Sequence, residues 1–389
     1  MKNKKLSHNG LQGSVTSVMA ALLCILIGLF VGFLVLLAIN PAHAWADGFV
    51  RILKGGFHDA PYGVGKELAN AAPLIMTGLS VGFAFKTGLF NIGAAGQYTL
   101  GAYGGLSRAI MLKLPWFVCL LAAAILGGLW GAIPGFFKAY FNINEVITSI
   151  MFNWIGLYLV NELVYQNGTG PMYDVRNTRT LNLGKNADLA QSVIPDFGLN
   201  KLFQTNSTTI AIFLAAAVAI LIWVVLNKTT FGYELKAVGL NKSAARYAGI
   251  NEKKNIILSM AIAGALAGFG AGLFYLSNVG QWNPLTPPSL PAMGFNGISV
   301  ALLASSNPIG TIFSALFISH ISVGGTFLST KYYPTEIADL ISGIIIYLCA
   351  FSMLFRGKIQ KLLFKNADKT NVNAEPAPAE KANAKKEGK

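Results

Sequence analysis

The stretch GLFNIGAAGQYTLGAYGG, Gly88 to Gly105, decides what kind of fold this chain can form. Its glycines and alanines recur at short intervals and allow helices to approach closely, as they do in packed membrane bundles. Between them stand Asn91 and Gln97, whose amides need hydrogen-bond partners in a low-dielectric interior. These amides either tie helices together or line a polar pathway, and the residues leave both interpretations open.

The composition of the whole chain indicates an integral membrane protein. Of 389 residues, 53% are hydrophobic and 12% are charged, whereas a typical soluble domain has about a quarter charged. Apolar runs of about 20 residues, long enough to cross a bilayer as a helix, recur along the sequence. The net charge of +14 is explained by Lys and Arg in cytoplasmic loops, and the absence of an interleaved basic-aromatic patch argues against nucleic acid as a partner.

The apolar runs predict an all-α, polytopic transmembrane helical bundle of about ten spans. In chain order these are Val15–Asn40, Glu67–Phe85, Asn91–Leu112, Trp116–Tyr140, Val146–Val164, Thr209–Leu226, Ile256–Leu276, Pro291–Ser305, Pro308–Val323 and Ile337–Phe355. The first run is longer than the apolar core of a signal peptide, about 7–15 residues, so an uncleaved span is expected. The mixed segment Pro41–Lys66 is expected to lie along the membrane surface.

Lys and Arg predict the orientation. They cluster before the first span, in the 227–255 loop and after the last span, and these regions share one side when six spans precede that loop. Both termini and this loop are therefore expected in the cytoplasm, and the 165–208 loop outside. The predicted organisation is a cytoplasmic N-terminus (1–14), a transmembrane domain (15–356), and a cytoplasmic basic segment with a disordered tail (357–389).

No catalytic or metal site is expected in this chain. The nearest approach to the phosphate-binding pattern G-x-x-x-x-G-K-[ST] is APYGVGKE, Ala60 to Glu67, which fails at its first and last positions. No catalytic constellation or metal-ligand spacing is visible, and the three cysteines all lie in apolar runs. His320 is the main ionisable group inside a span, and a lone histidine there is more typical of hydrogen-bonded packing than of ion coupling.

A second informative stretch is TFGYELKAVGLNKSAARYAGINEKKN, Thr230–Asn255, a polar interruption between apolar runs. It predicts a short helix Tyr233–Val238, closed by Gly239 in the left-handed conformation. It also predicts a second helix, Lys242–Ala248, with Asn241 as its N-cap.

The second of these helices, which Gly249 would close, carries small side chains on one face. Ala244, Ala245 and Ala248 would form this face, with Arg246 among them. A short helix with such a face can enter a shallow cleft on another protein, and two capped helices argue against an ordinary solvated loop.

Four stretches together resemble the membrane permease of the ABC importers that serve branched-chain amino acids, simple sugars and nucleosides. They are GLFNIGAAGQYTLGAYGG, NINEVITSIMFNWIG, YELKAVGLNKSAARYAGI and GFNGISVALLASSNPIG. The resemblance runs from Leu74 to Phe355, and the long N-terminal part with NEVITSIM is most similar to the nucleoside permeases. The family often has Glu where Ala95 stands and Gly where Ala304 stands.

The resemblance implies a function for the polar stretch and for the whole chain. The stretch would be a coupling element that docks on a cytoplasmic ABC ATPase, because Glu234, Ala237 and Gly239 resemble the element E-x-x-A-x-G. The residues expected to couple are Glu234, Ala237, Gly239, Asn241, Ala244, Ala245, Arg246 and Gly249. The chain itself would hydrolyse nothing and hold no cofactor, with ATP and Mg²⁺ on the ATPase.

The other implied partners are a second homologous permease or a second copy of this chain, an extracellular solute-binding lipoprotein, and membrane lipid. The implied location is the bacterial cell membrane. The near absence of charge in mid-span fits a neutral solute, most of all a nucleoside. A simple sugar such as ribose, or an ion-coupled secondary transporter, is the alternative. The residues expected to line the pathway are Asn91, Gln97, Asn153, Gln281 and Asn296.

Overall fold

The computed structural model of the chain describes residues 2–284, 289–329, 331–334 and 336–350. These residues are predominantly helical, which confirms the all-α prediction. The helices are α1 (Lys2–Ile39), α2 (Val50–Lys54), α3 (Tyr62–Lys86), α4 (Ala94–Ile110), α5 (Trp116–Phe141), α6 (Glu145–Tyr165), α7 (Leu199–Phe203), α8 (Ala211–Lys228), α9 (Thr230–Leu240), α10 (Lys242–Tyr247), α11 (Glu252–Leu276), α12 (Ala292–Leu303), α13 (Pro308–Thr326) and α14 (Glu336–Ala350). Strands β1 (Tyr173–Asp174) and β2 (Arg179–Thr180) form a short antiparallel pair.

The chain divides into two compact units, residues 1–24 with 351–389 and residues 25–350. In the first unit, residues 2–24 are the beginning of α1. The second unit holds the rest of α1 and every other described element. The predicted tail over 357–389 and the end of the last predicted span lie outside the described residues.

Small residues bring the long helices of the second unit into backbone contact. A β-carbon added at Gly127 of α5 would lie 2.7 Å from the Cα of Gly268 in α11. A β-carbon added at Gly101 of α4 would overlap with the backbone of Gly268. The glycines of the opening stretch therefore serve close helix packing, as their spacing predicts.

Among the described residues, seven helical segments are long and apolar enough to cross a membrane. They are Leu22–Ile39, Tyr62–Lys86, Trp116–Phe141, Glu145–Gly168, Ala211–Lys228, Glu252–Leu276 and Pro308–Thr326. The segments centred on α3 and α11 are mostly buried, and so is the shorter helix α4, so these three helices form the centre of the bundle, while the other segments expose an apolar face. The remaining predicted spans correspond to the shorter helices α4, α12 and α14, and the count of about ten stays a prediction.

The segment between α6 and α8 is packed on the bundle. The backbone N–H of Thr180 donates to the carbonyl of Trp282 at 2.9 Å, and that of Ile194 donates to the carbonyl of Leu276 at 3.0 Å. These bonds fasten the segment to the end of α11 and to the connection that follows it. The 165–208 loop of the sequence prediction is therefore an ordered cap on one end of the bundle.

The segment between α1 and α3 consists of a π-helical turn (Ala44–Phe49), α2 and a 3₁₀ turn (Gly55–Asp59). Arg51 holds it in place, because its guanidinium pairs with Asp47 at 2.6 Å and donates to the carbonyl of Phe327 at 3.1 Å. The segment thus packs on the end of α13. Its predicted position along the membrane surface stays a prediction.

Candidate functional site

The predicted coupling element is carried by α9 and α10. Thr229 caps α9, since its Oγ1 accepts a hydrogen bond from the backbone N–H of Gly232 at 3.1 Å. Asn241 caps α10, since its Oδ1 accepts one from the N–H of Ala244 at 3.0 Å. Gly249 has a φ of +80° and follows the end of α10. The two capped helices and the role of Asn241 agree with the sequence prediction.

The prediction that Gly239 closes the first helix was wrong. α9 continues to Leu240, and it ends where Asn241 becomes extended to cap the next helix. Gly239 instead allows close approach to a neighbouring turn. A β-carbon there would lie 2.5 Å from the carbonyl carbon of Thr87 and 2.7 Å from the nitrogen of Gly88.

The exposed side of α9 and α10 is more apolar than the sequence prediction proposed. Ala245 is buried against the bundle, whereas Ala244 and Ala248 are exposed. Beside them, Leu240 is 88% exposed and Tyr247 is 94% exposed. We call Leu240, Ala244, Tyr247 and Ala248 the docking face. Large apolar side chains exposed on capped helices are typical of a protein-interaction surface. In the sequence, Leu240 and Tyr247 could have been recognised as large apolar residues within an otherwise polar loop.

Glu234 and Arg246 hold the coupling element to the start of α11. The amide of Asn255 donates to Glu234 Oε2 at 3.4 Å, and Arg246 Nε donates to Glu252 Oε2 at 2.8 Å. The hydrogen bond to Glu252 and its charge raise the pKa of the Arg246 guanidinium, which therefore keeps its charge. Ala237 packs on the core. These three predicted coupling residues thus connect the docking face to the bundle.

Three of the predicted pathway residues form one buried amide cluster, Asn91, Gln97 and Asn153. Asn91 Nδ2 donates to Gln97 Oε1 at 2.8 Å, and Gln97 Nε2 donates to Asn91 Oδ1 at 2.9 Å. Asn153 accepts from the N–H of Gly96 at 2.8 Å and donates to the carbonyl of Ile92 at 3.0 Å. In this conformation the cluster ties α4 and α6 to the turn before α4, and its role in the pathway stays a prediction.

One turn joins the amide cluster to the coupling element. Gly88, with a φ of +73°, packs against Gly239 of α9. Thr87 is hydrogen-bonded through its hydroxyl to the hydroxyl of Ser259 in α11. Asn91 follows in the same turn, so this turn both contacts α9 at Gly239 and carries one member of the amide cluster.

The other two predicted pathway residues lie apart from this cluster. Gln281 Nε2 donates to the carbonyl of Thr180 at 2.6 Å and so fastens its segment to β2. Asn296 on α12 is partly exposed, and no hydrogen bond to it is present among the described residues. Next to Gln281 lies a cavity of about 150 Å³ between α6, α11 and the connection to α12. Sequence reasoning missed this cavity, because its walls come from three separate elements.

His320 is engaged in packing. Its Nδ1 lies 2.6 Å from Glu67 Oε1, and its Nε2 lies 2.9 Å from the carbonyl of Leu53. These contacts connect α13 to α3 and α2, as hydrogen-bonded packing predicts. Within the described ranges, no group of three His, Cys, Asp or Glu side chains could hold a metal ion.

Comparison with known proteins identifies the family. Residues 65–350 match the family described as branched-chain amino acid transport system / permease component. The chain is 32% identical over 381 residues to the guanosine ABC transporter permease protein NupP of Bacillus subtilis (strain 168), covering 94% of this chain and 99% of that protein. It is 31% identical over 377 residues to the nucleoside ABC transporter permease protein NupB of Lactococcus lactis subsp. cremoris (strain MG1363), covering 92% and 98%.

A third relative carries a different solute in its name. It is the glucose ABC transporter permease protein TsgB13 of Haloferax volcanii, 31% identical over 344 residues, covering 86% of this chain and 87% of that protein. No solved structure matches the chain.

The family match extends over the amide cluster, the coupling element and six of the seven apolar segments. Together with those segments, it confirms a multi-pass protein of the bacterial cell membrane. The chain belongs to the family of permease components of the branched-chain amino acid transport system.

Proposed function

We propose that this chain is the permease subunit of an ATP-driven importer whose solute is a nucleoside. The similarity to permeases named for guanosine and nucleosides supports this solute, because it covers more than nine tenths of this chain and of each relative. It therefore includes every segment that could form the pathway as well as the coupling element.

The observation that carries the proposal is the coupling element with its exposed docking face. A separate cytoplasmic ABC ATPase binds ATP with Mg²⁺, hydrolyses it, and binds Leu240 and Tyr247 of that face. Its closure displaces α9, and the contact between Gly239 and Gly88 passes this displacement to the turn that bears Asn91. The pathway then alternates between outward and inward access, and this chain itself catalyses no reaction.

The other proposed partners are a solute-binding lipoprotein, a second permease and membrane lipid. The ordered cap between α6 and α8 exposes Phe197 by 82% and Leu202 by 64%, which offers apolar contacts to an extracellular solute-binding lipoprotein. A second homologous permease completes the pathway as a heterodimer. A homodimer is the alternative arrangement, and lipid covers the exposed apolar faces of the outer helices.

A simple sugar is the second candidate solute, because the chain is similar over most of its length to a permease named for glucose. Ion-coupled transport finds no comparable support. His320, the ionisable group that the sequence offered for it, is held by Glu67 and Leu53.

Competition of uptake tests the proposal. Cells that carry the complete importer take up labelled guanosine, and we expect excess adenosine or uridine to inhibit this uptake while ribose and leucine do not. The ATPase should co-purify with the tagged chain. Inhibition by leucine alone would refute the nucleoside, and uptake that persists without ATP but collapses with the ion gradient would refute the ATP-driven mechanism.

A further inference from the structure

The cavity between α6, α11 and the connection to α12 has two kinds of wall. Rings of Tyr275 and Trp282 form an aromatic side, with centroids 6.1 Å apart, while Asn161, Asn283 and Ser289 supply polar groups. None of the described side chains that line it is ionised at neutral pH. The cavity therefore favours a neutral solute that has both a flat face and hydrogen-bonding edges.

One hydrogen bond determines how the amide of Asn161 is oriented in the polar wall of the cavity. The indole Nε1 of Trp282 donates to Asn161 Oδ1 at 2.9 Å. An indole N–H can only donate, so the Asn161 oxygen must face it, and the Nδ2 amino group faces away. Among the described residues no acceptor bonds to this amino group, so Asn161 has two N–H donors to offer a solute.

The volume of the cavity limits which part of a nucleoside could enter it. Its volume is about 150 Å³, and a cavity of about that volume accommodates a ring of the size of benzene. A whole nucleoside is larger than this, so one ring of its flat base would occupy the cavity, and the rest of the base and the ribose would remain at the opening. Purine bases present nitrogen and oxygen acceptors along their edges, which suits the N–H donors of Asn161.

A row of aromatic rings lies between the cavity and the amide cluster. Tyr275 lies between Trp282 and Tyr98, with its ring centroid 6.2 Å from that of Tyr98. The hydroxyl of Tyr98 is buried and has no hydrogen-bond partner among the described residues. Since Tyr98 directly follows Gln97, these aromatic rings connect the cavity with the predicted pathway.

We infer that Trp282 and Asn161 form a transit site for the nucleobase, in which Trp282 stacks on the base and orients Asn161 to donate to it. This inference rests on the proposed function for its solute class. It places the first contact of the solute at the capped end of the bundle, where β2 fastens the Trp282 segment through Thr180.

Photolabelling of the complete importer in lipid nanodiscs tests this site, with 8-azidoadenosine as the probe. We expect label on peptides that contain Tyr275–Asn283 or Leu157–Asn161, with protection by guanosine or guanine and not by ribose. Trp282→Ala should reduce labelling about tenfold, because a base–aromatic stack is lost. Asn161→Leu should reduce it about threefold to tenfold through the lost hydrogen bond.

Trp282→Phe separates stacking from folding, since it keeps an aromatic ring and loses only the indole donor. We expect it to label more strongly than Trp282→Ala and to resemble Asn161→Leu. The matched control is Trp154→Ala, which removes an exposed tryptophan from α6 and should label as the unaltered chain does. Co-purification of the ATPase shows that each variant is assembled.

The outcomes separate the site from the proposed function. Equal labelling of the unaltered chain, Trp282→Ala and Asn161→Leu overturns the site, as does label confined to peptides around Asn91 and Asn153. Protection by ribose and not by guanine overturns the base as the recognised part. Specific label at Trp282 in an importer that takes up neither guanosine, adenosine nor uridine supports the site and refutes the proposed function.

Discussion

Two glycines, Gly88 and Gly239, join the coupling element to the bundle. Each leaves room for the backbone of the other, so no side chain fits at either position without separating α9 from the turn. Gly88 lies in the turn between α3 and α4 and Gly239 lies in α9, so the contact is apparent only in the folded chain. Gly239, which the sequence suggested as the end of a helix, instead allows the backbones of α9 and the turn to approach closely.

Replacing Gly239 by leucine should uncouple transport from ATP hydrolysis. The leucine side chain would push α9 away from Thr87 and Gly88, and we expect ATP-dependent uptake to fall about tenfold. Uptake by cells and the amount of chain in the membrane are the measurements. Gly343→Ala is the control, because no described atom lies within 4 Å of the added β-carbon. Normal uptake by Gly239→Leu would contradict the coupling role of this contact.

The buried amides Asn91 and Gln97 satisfy each other through reciprocal hydrogen bonds. Both side chains are at most 1% exposed, so water cannot replace a lost partner. An unpaired buried amide costs about 1–3 kcal/mol. The pair is therefore expected to behave as a unit.

Asn91→Leu should lower the free energy of unfolding by about 1–3 kcal/mol, because it leaves Gln97 unpaired. The double variant with Gln97→Leu should cost less than the sum of the two single variants, since neither amide then remains. Thermal unfolding of the purified protein measures the difference. Additive losses would show that the two amides act independently.

At the scale of the element, α9 and α10 present the docking face while their inner side is held by the bundle. The caps at Thr229 and Asn241 satisfy the N-terminal backbone groups of two short helices, and each cap contributes about 1 kcal/mol. Ala245 and Glu234 attach the helices inward, so Leu240 and Tyr247 remain outside. This division of the two helices into a bound and an exposed side supports their proposed role as a docking element.

Changing Leu240 and Tyr247 together to serine should remove the apolar contacts of the docking face. We expect the co-purified ATPase to fall about tenfold or more, because buried apolar anchors dominate the free energy of protein binding. Leu202→Ser provides a matched control on the opposite end of the bundle and should leave the ATPase bound. Undiminished co-purification would place the ATPase on another surface.

At the scale of the whole molecule, the buried helices α3, α4 and α11 are surrounded by helices with an apolar outer face. The coupling element lies before α11 in the chain, and the ordered cap packs on its far end. The two ends of α11 therefore carry the two proposed partner surfaces. Such an arrangement requires that these surfaces lie on opposite sides of the membrane.

Cysteine labelling in intact cells tests this orientation. Lys185→Cys, in the cap, should react with a membrane-impermeant maleimide, and Ser243→Cys, in α10, should react only after the cells are opened. Both native side chains are exposed, Cys24 and Cys119 are buried, and the labelling of the unsubstituted chain gives the background from all three native cysteines. The unsubstituted chain is the control. The reverse labelling pattern would invert the predicted topology.

The sequence by itself determined the class of protein, most helices and the capped coupling element. These features depend on local patterns, since apolar runs of about 20 residues form spans and an Asn before a helix caps it. The resemblance carried by four stretches also identified the family, which the match over residues 65–350 confirmed.

Only the tertiary structure decided which residues meet. The pairing of Asn91 with Gln97, the contact of Gly239 with Gly88, and the cavity beside Trp282 all depend on elements that are distant in sequence or on a chain reversal. Such contacts follow from how the helices pack, and a run of apolar residues specifies that a helix is buried without specifying against which neighbour. For this reason the sequence predicted the amides and the glycine as important, and the structure showed what each one contacts.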